Sequence, residues 1–167
     1  ATDLTNNGTL LFDRSSDSTH SDQISGTGTV IKNGNATLIL TGTSTYTGDT
    51  TVNAGTLEVN GSLANTATTV NSGATLAGNG ALGAVTINSG GTIAPGNSPG
   101  TITVGNSVWN GGGIYNWGLG SANGTAGTDW DLISSTGNLT SGANSTNRFT
   151  IAASTTNASG FNPNVRS

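Results

Sequence analysis

The residues able to do chemistry are few, and they fall in two places. Asp129 and Asp131 stand two apart in a segment that reads as a strand, which would turn both carboxylates to one face. Asp13, Asp17 and Asp22 share a Ser-rich stretch, residues 13–23, with Arg14 and His20. Cleaving a glycosidic bond needs a paired acid and base, with basic groups close by to balance them. Neither carboxylate group has a recurring basic partner, and the middle of the chain holds only Lys32, Asp49 and Glu58. His20 is the only histidine, so a metal site built on histidines is excluded, and no nucleophile elbow accompanies it. Calcium-binding repeats carry an Asp in every Gly-rich turn, and no such Asp recurs. Cysteine is absent, which removes disulfides and thiolate metal sites. These charges therefore read as solvated loop groups. No catalytic residue, metal or cofactor is assigned.

The elements that must carry these residues form a repeat. Val52/Leu57, Val70/Leu76 and Ile87/Ile93 occupy one local frame: Thr, an apolar residue, a Gly turn, then Thr and a second apolar residue. First members recur at intervals of 18 and 17, second members at intervals of 19 and 17. A fixed period of about 18 residues, with half-units of about five, is too short for helices and suits strands. The fold class expected is all-β, a parallel β-helix (β-solenoid) with one coil per repeat. Val52, Leu57, Val70, Leu76, Ile87 and Ile93 are its expected core ladder, stacked in two columns.

Earlier coils carry longer connections, since the interval from Leu10 to Val30 is 20 and that from Val30 to Val52 is 22. Four segments follow: residues 1–25 as an N-terminal strand and polar loop, 26–104 as regular coils, 105–153 as an aromatic-rich region and 154–167 as a polar tail. All three tryptophans, Trp109, Trp117 and Trp130, fall in the third segment with Tyr115. These large side chains imply either wider coils or a cap over the end of the rod, and a stacking platform for carbohydrate is the alternative use of the same rings.

Composition agrees with an extended surface structure. Gly, Thr, Ser and Asn supply 97 of the 167 residues, and only 7% are charged. Disordered chains are enriched in Pro, Glu and Lys, whereas Thr suits a pleated sheet. A net charge of −4 argues against nucleic acid, which needs a basic face. No apolar run approaches the ~20 residues that cross a bilayer, so no membrane insertion is expected. Seven Asn-x-Ser/Thr sites, at Asn7, Asn35, Asn60, Asn123, Asn138, Asn144 and Asn157, are what this much Asn, Ser and Thr yields by chance.

The stretch Gly26 to Val59, GTGTVIKNGNATLILTGTSTYTGDTTVNAGTLEV, resembles the passenger-associated transport repeat of bacterial autotransporters. Gly73 to Val104, with the turn Ala94-Pro95-Gly96-Asn97-Ser98-Pro99-Gly100, resembles the coil that follows it. Gly112 to Ile133 resembles the continuation in proteins of the autotransporter-associated β-strand repeat family. The resemblance implies a right-handed coil and a life outside a Gram-negative-type cell, extracellular or on its outer surface. It departs from the family in that no outer-membrane barrel and no hydrophobic sorting tail follow, which suggests a processed passenger fragment or a free-standing subunit.

The expected function is a non-catalytic extracellular structural subunit that associates head-to-tail with copies of itself into a surface fibre or matrix, through open coil ends. Candidate contact residues are Leu10, Phe12, Trp109, Tyr115, Trp117, Trp130, Phe161 and Val165, with a tail, residues 1–6 or 154–167, added as a strand on the neighbour. The alternative is an adhesin passenger segment binding carbohydrate or other cell-surface ligands. A polysaccharide-active β-helix enzyme comes third.

Overall fold

Alternation of buried and exposed residues over short runs, broken by Gly and Asn, drives this chain into brief strands that pair only with the next pass of the chain. The computed structural model describes residues 3–96 and 99–154. The first coil holds β1 (Leu4–Thr5), β2 (Thr9–Phe12) and β3 (Ser18–His20). The second holds β4 (Ile24–Ser25), β5 (Thr29–Lys32) and β6 (Thr37–Leu40), and the third β7 (Thr50–Val52) and β8 (Gly55–Val59). Next come β9 (Ser62–Leu63), β10 (Thr68–Val70) and β11 (Ala74–Gly78), then β12 (Ala81–Leu82), β13 (Val85–Ile87) and β14 (Thr92–Pro95). The sixth coil holds β15 (Thr101–Val104), β16 (Ser107–Asn110) and β17 (Ile114–Gly118). The last holds β18 (Leu132–Ser135), β19 (Leu139–Gly142) and β20 (Thr150–Ser154).

Every named strand pair is parallel, and the strands stack into two seven-stranded sheets along two sides of the rod. The third side is built from the β1–β4 pair, residues 43–46, and the four-stranded sheet of β9, β12, β15 and β18. No described residue is helical. The fold is a β-solenoid.

The first seven-stranded sheet aligns Leu10, Val30, Thr50, Thr68, Val85, Ser107 and Leu139, so successive intervals are 20, 20, 18, 17, 22 and 32. The period is thus near 18 only in the middle of the chain. Two features of the sequence reading change. Val30 pairs with Thr50, and Val52 sits over Lys32, so the second interval is 20 rather than 22. Residues 13–23 are not all loop, because Ser18–His20 forms β3 against β6.

Inward residues form columns. Phe12, Lys32, Val52, Val70, Ile87, Trp109 and Ser141 make one; Ser18, Leu38, Leu57, Leu76, Ile93, Tyr115 and Ile151 make another. Val52, Leu57, Val70, Leu76, Ile87 and Ile93 are all fully buried. The third side adds Ile24, Tyr46, Leu63, Leu82, Ile102 and Val104 to the same core. The corner that leads from β8 to β9 leaves no room for a side chain. A Cβ at Gly61 would lie 2.1 Å from the Gly42 carbonyl oxygen beneath it. Gly73 turns the chain between the two large sheets at φ +79°, where an L side chain is strained.

Beyond β17 the chain continues the same three sides while looping out residues 119–131 and 143–149 between strands. Phe149 lies just before β20, and Trp130 just before β18. Phe161 and Val165, with most of the expected C-terminal tail, lie outside the described residues. At the other terminus Leu4 and Thr5 pair with Ile24 and Ser25 of the same chain.

Candidate functional site

The most regular polar feature lies at the corner between the two large sheets. Asn33, Asn53, Asn71, Asn88 and Asn110 each follow an inward residue of one column and stack on one another. The amide of Asn53 donates to the Asn33 oxygen at 2.8 Å, Asn71 to Asn53 at 2.7 Å, Asn88 to Asn71 at 2.8 Å, and Asn110 to Asn88 at 3.0 Å. A carboxamide carries both a donor and an acceptor on one planar group, so it can repeat such a bond from coil to coil. On either side run outward threonines, Thr51, Thr69 and Thr86 on one sheet and Thr37, Thr56, Thr75 and Thr92 on the other. Asn at the residue after each inward position was the available sequence signal for this ladder.

The sequence reading makes Lys32 a solvated charge. It is instead only 2% exposed, in the column between Phe12 and Val52. Its ammonium donates to the Gly34 carbonyl and, at 3.1 Å, to that of Ala54. Burial lowers its pKa from 10.5, opposed by the charges of Asp13 and Asp17. These two aspartates, with Arg14, Asn33 and Asn35, line an open cleft of about 600 Å³ beside the second coil. Asp17 accepts the Thr37 backbone N–H at 2.7 Å. His20 faces inward on β3, in edge contact with Phe12 at 6.4 Å between ring centroids, and its Nε2 has no hydrogen-bond partner. Asp22 lies under Gly42 on the neighbouring corner. Among the described residues no three His, Asp or Glu side chains converge as metal ligands.

A second buried polar group sits on the third side. Thr66 Oγ1 donates to the Gly48 carbonyl at 2.6 Å, so its oxygen is left to accept from Thr50 at 3.2 Å. Thr50 in turn accepts from the Tyr46 hydroxyl at 2.6 Å, which makes a one-way chain from Tyr46 to Gly48. Burial raises the Tyr46 pKa to about 12, with the hydrogen bonds to Thr50 and Thr66 opposing it.

Asp129 and Asp131 do not share a strand face. Both belong to the looped segment before β18, and Asp131 is buried. Its two carboxylate oxygens accept the backbone N–H groups of Gly100 at 2.8 Å and Gly118 at 2.7 Å, while its carbonyl accepts from Tyr115 Oη and Trp117 Nε1. Asp129 accepts the Thr125 N–H at 2.7 Å. Asp131 therefore ties residues 119–131 onto the rod, whereas Asp129 is engaged within that segment. Burial, and next the Asp131 charge, push the Tyr115 hydroxyl well above its ordinary pKa. Trp130 bridges Leu119 and Ala126 within the same segment.

The last coil presents an apolar end. Trp109 stacks on Phe149 at 4.7 Å between ring centroids and contacts Tyr115 at 6.1 Å. With Ser141, Ala143, Arg148 and Ile151 these two rings line a hollow of about 420 Å³. At the opposite end Leu10 and Phe12 pack partly buried against the core.

Residues 30–59 match the passenger-associated-transport-repeat family. The chain is similar to the adhesin BmaC autotransporter of Brucella suis, 49% identical over 67 residues, which is 39% of this chain and 2% of that protein. It is also similar to an extracellular serine protease of Serratia marcescens, 48% identical over 64 residues, or 38% of this chain and 6% of that protein. The chain thus spans only a small part of the length of the curated relatives it matches. The family match runs from β5 into β8 of the solenoid.

Proposed function

We propose that this chain is a non-catalytic structural segment of an extracellular or surface-exposed autotransporter passenger, of the adhesin type, in a Gram-negative-type bacterium. The observation that carries the reading is how the polar groups are used. The candidate carboxylates Asp17, Asp129 and Asp131 all accept backbone N–H groups, and the Asn ladder bonds to itself coil after coil. Such groups hold a rod in shape, and the open cleft that Asp13 and Asp17 line brings neither a histidine nor a third carboxylate to them among the described residues. The exterior of outward threonines suits contact with cell-surface ligands, carbohydrate included, and the similarity to an adhesin supports that use. The protease relative matches over a repeat-length stretch, which fits a shared scaffold.

Purified chain incubated with polysaccharide and peptide panels should release neither reducing ends, unsaturated sugars nor new peptide termini. Beads coated with it should be retained on host cells above beads coated with an unrelated solenoid. Turnover that disappears in Asp129→Asn or Asp131→Asn would overturn the non-catalytic reading, and equal bead retention would overturn the adhesive one.

A further inference from the structure

The Asn ladder uses only half of its own hydrogen-bonding capacity. A carboxamide offers two N–H donors and an oxygen with two lone pairs. Asn53, Asn71 and Asn88 each give one donor to the asparagine of the preceding coil and one lone pair to that of the next. One N–H and one lone pair of each are left for a ligand, and solvent reaches them all: Asn53 is exposed, Asn71 and Asn88 half-buried. The ladder runs along the flank of the middle coils. Further coils at either end would lengthen it and leave it uncovered.

These spare pairs recur once per coil, at the strand spacing of about 4.8 Å. Outward hydroxyls accompany them, from Thr51, Thr69 and Thr86 on one sheet and from Thr56, Thr75 and Thr92 on the other. Neither the asparagines nor these threonines carry charge. An extended β-1,4-linked hexose chain has the matching chemistry: its sugars follow one another at close to the coil spacing, and its hydroxyls both donate and accept. At the second coil the ladder meets the open cleft of about 600 Å³, which Asn33 lines together with Asp13, Arg14, Asp17 and Asn35. Two carboxylates to one guanidinium there disfavour a polyanion and leave a neutral chain. No aromatic ring stands among these residues, so each sugar is held by hydroxyl pairing alone, and affinity builds by repetition.

We infer that the Asn ladder, with the threonines beside it, binds an extended neutral β-1,4-linked polysaccharide laid along the rod, its hydroxyls paired with the spare N–H and oxygen of successive asparagines. The inference rests on the adhesive reading, for which it names the ligand class and the surface that takes it.

The probes are β-1,4-linked oligomers of glucose and of N-acetylglucosamine, titrated calorimetrically into the full chain. The control is the α-1,4-linked glucose series, whose sugars carry the same hydroxyls on a curved chain. At least one β series should bind roughly tenfold tighter at six sugars than at two, and roughly tenfold tighter than the α hexamer, because contacts add along the ladder. With no ionic contact to screen, high salt should leave this unchanged. Asn71→Ala, which interrupts the ladder at its middle, should weaken the hexamer roughly tenfold, with circular dichroism confirming the fold. Thr69→Ala/Thr75→Ala/Thr86→Ala/Thr92→Ala removes only outward hydroxyls, so it tests the same surface if Asn71→Ala does not fold, and it should also weaken binding. Thr43→Ala/Thr45→Ala, exposed on the third side, should bind as wild type. Equal affinity for α and β oligomers, no gain with length, or folded ladder variants that bind as wild type would overturn the inference. Light scattering that shows copies of the chain pairing through the ladder, with no glycan bound, would overturn it too. Beads retained on cells while neither β series binds would overturn the inference and leave the adhesive reading standing.

Discussion

Replacing Leu76 by alanine probes the column on which the rod depends. Leu76 is fully buried between Leu57 and Ile93, with Tyr115 one coil further on. Buried Leu→Ala changes cost about 2–5 kcal/mol, and the cost depends on how far neighbours relax into the gap. Relaxation is poor here, because coil spacing is set by backbone ladders on both sides of Leu76. The upper part of the range, about 3–5 kcal/mol, therefore applies. With an m-value of about 2 kcal/mol/M, the urea midpoint should fall by roughly 1.5–2.5 M. Thr75→Ala, one residue away but outward, should move it by less than about 0.3 M, as a surface change does. Both are read by far-UV circular dichroism, with m compared, since repeat arrays can lose all-or-none unfolding. Leu76→Asp, which buries an unpaired charge, should prevent folding altogether. A Leu76→Ala midpoint no lower than that of Thr75→Ala would refute the column.

The remaining expectations concern buried polar groups. Asn71→Ala removes two ladder bonds, to Asn53 and from Asn88, and should cost about 1–2 kcal/mol in urea unfolding, while Asn71→Gln, whose longer side chain leaves the ladder plane, should not restore it. Tyr46→Phe should cost about 1 kcal/mol at neutral pH. Because the folded pKa of Tyr46 is raised from 10.0 to about 12, wild-type stability is full below pH 10.0 and falls from there toward 12, a fall that Tyr46→Phe should lack in pH-dependent melts. Lys32 has the opposite sign: its folded pKa is lowered, so the protonated form opposes folding, and stability should rise from that lowered value up to pH 10.5. Lys32→Met should flatten this rise, and an unchanged slope would show that the lysine is solvated.

Much of the rod was legible because alternation has only two phases. Val70 and Leu76 could point nowhere but inward once Thr69 and Thr75 pointed out. The register of the early coils was less legible, since matching by residue type placed Val30 with Val52. Backbone packing decides otherwise. Gly48 sits on Gly28, with only 2.3 Å between a built Cβ and the carbonyl below, and this puts Thr50 over Val30 and Val52 over Lys32. The asparagines carried the true register, recurring at intervals of 20, 18, 17 and 22 in step with the strands. Asp131 was illegible for a different reason. Its backbone partners Gly100 and Gly118 lie 31 and 13 residues away, and no local pattern announces a carboxylate that closes a loop. Tyr46 hid likewise among threonines, because its side of the coil has no long strand to mark it.

The described residues form one continuous stack of parallel coils, and a distance along that stack measures it. Spin labels at Leu11→Cys and Thr140→Cys, in dilute protein, span six coil steps along one outward column. Pulsed electron spin resonance should give a single narrow distribution, centred at about 29 Å between backbones once label length is allowed for. Moving the second label from Thr140 to Thr69, three steps away, should halve it. A broad distribution, or one that does not shorten in proportion to the coils removed, would contradict the solenoid.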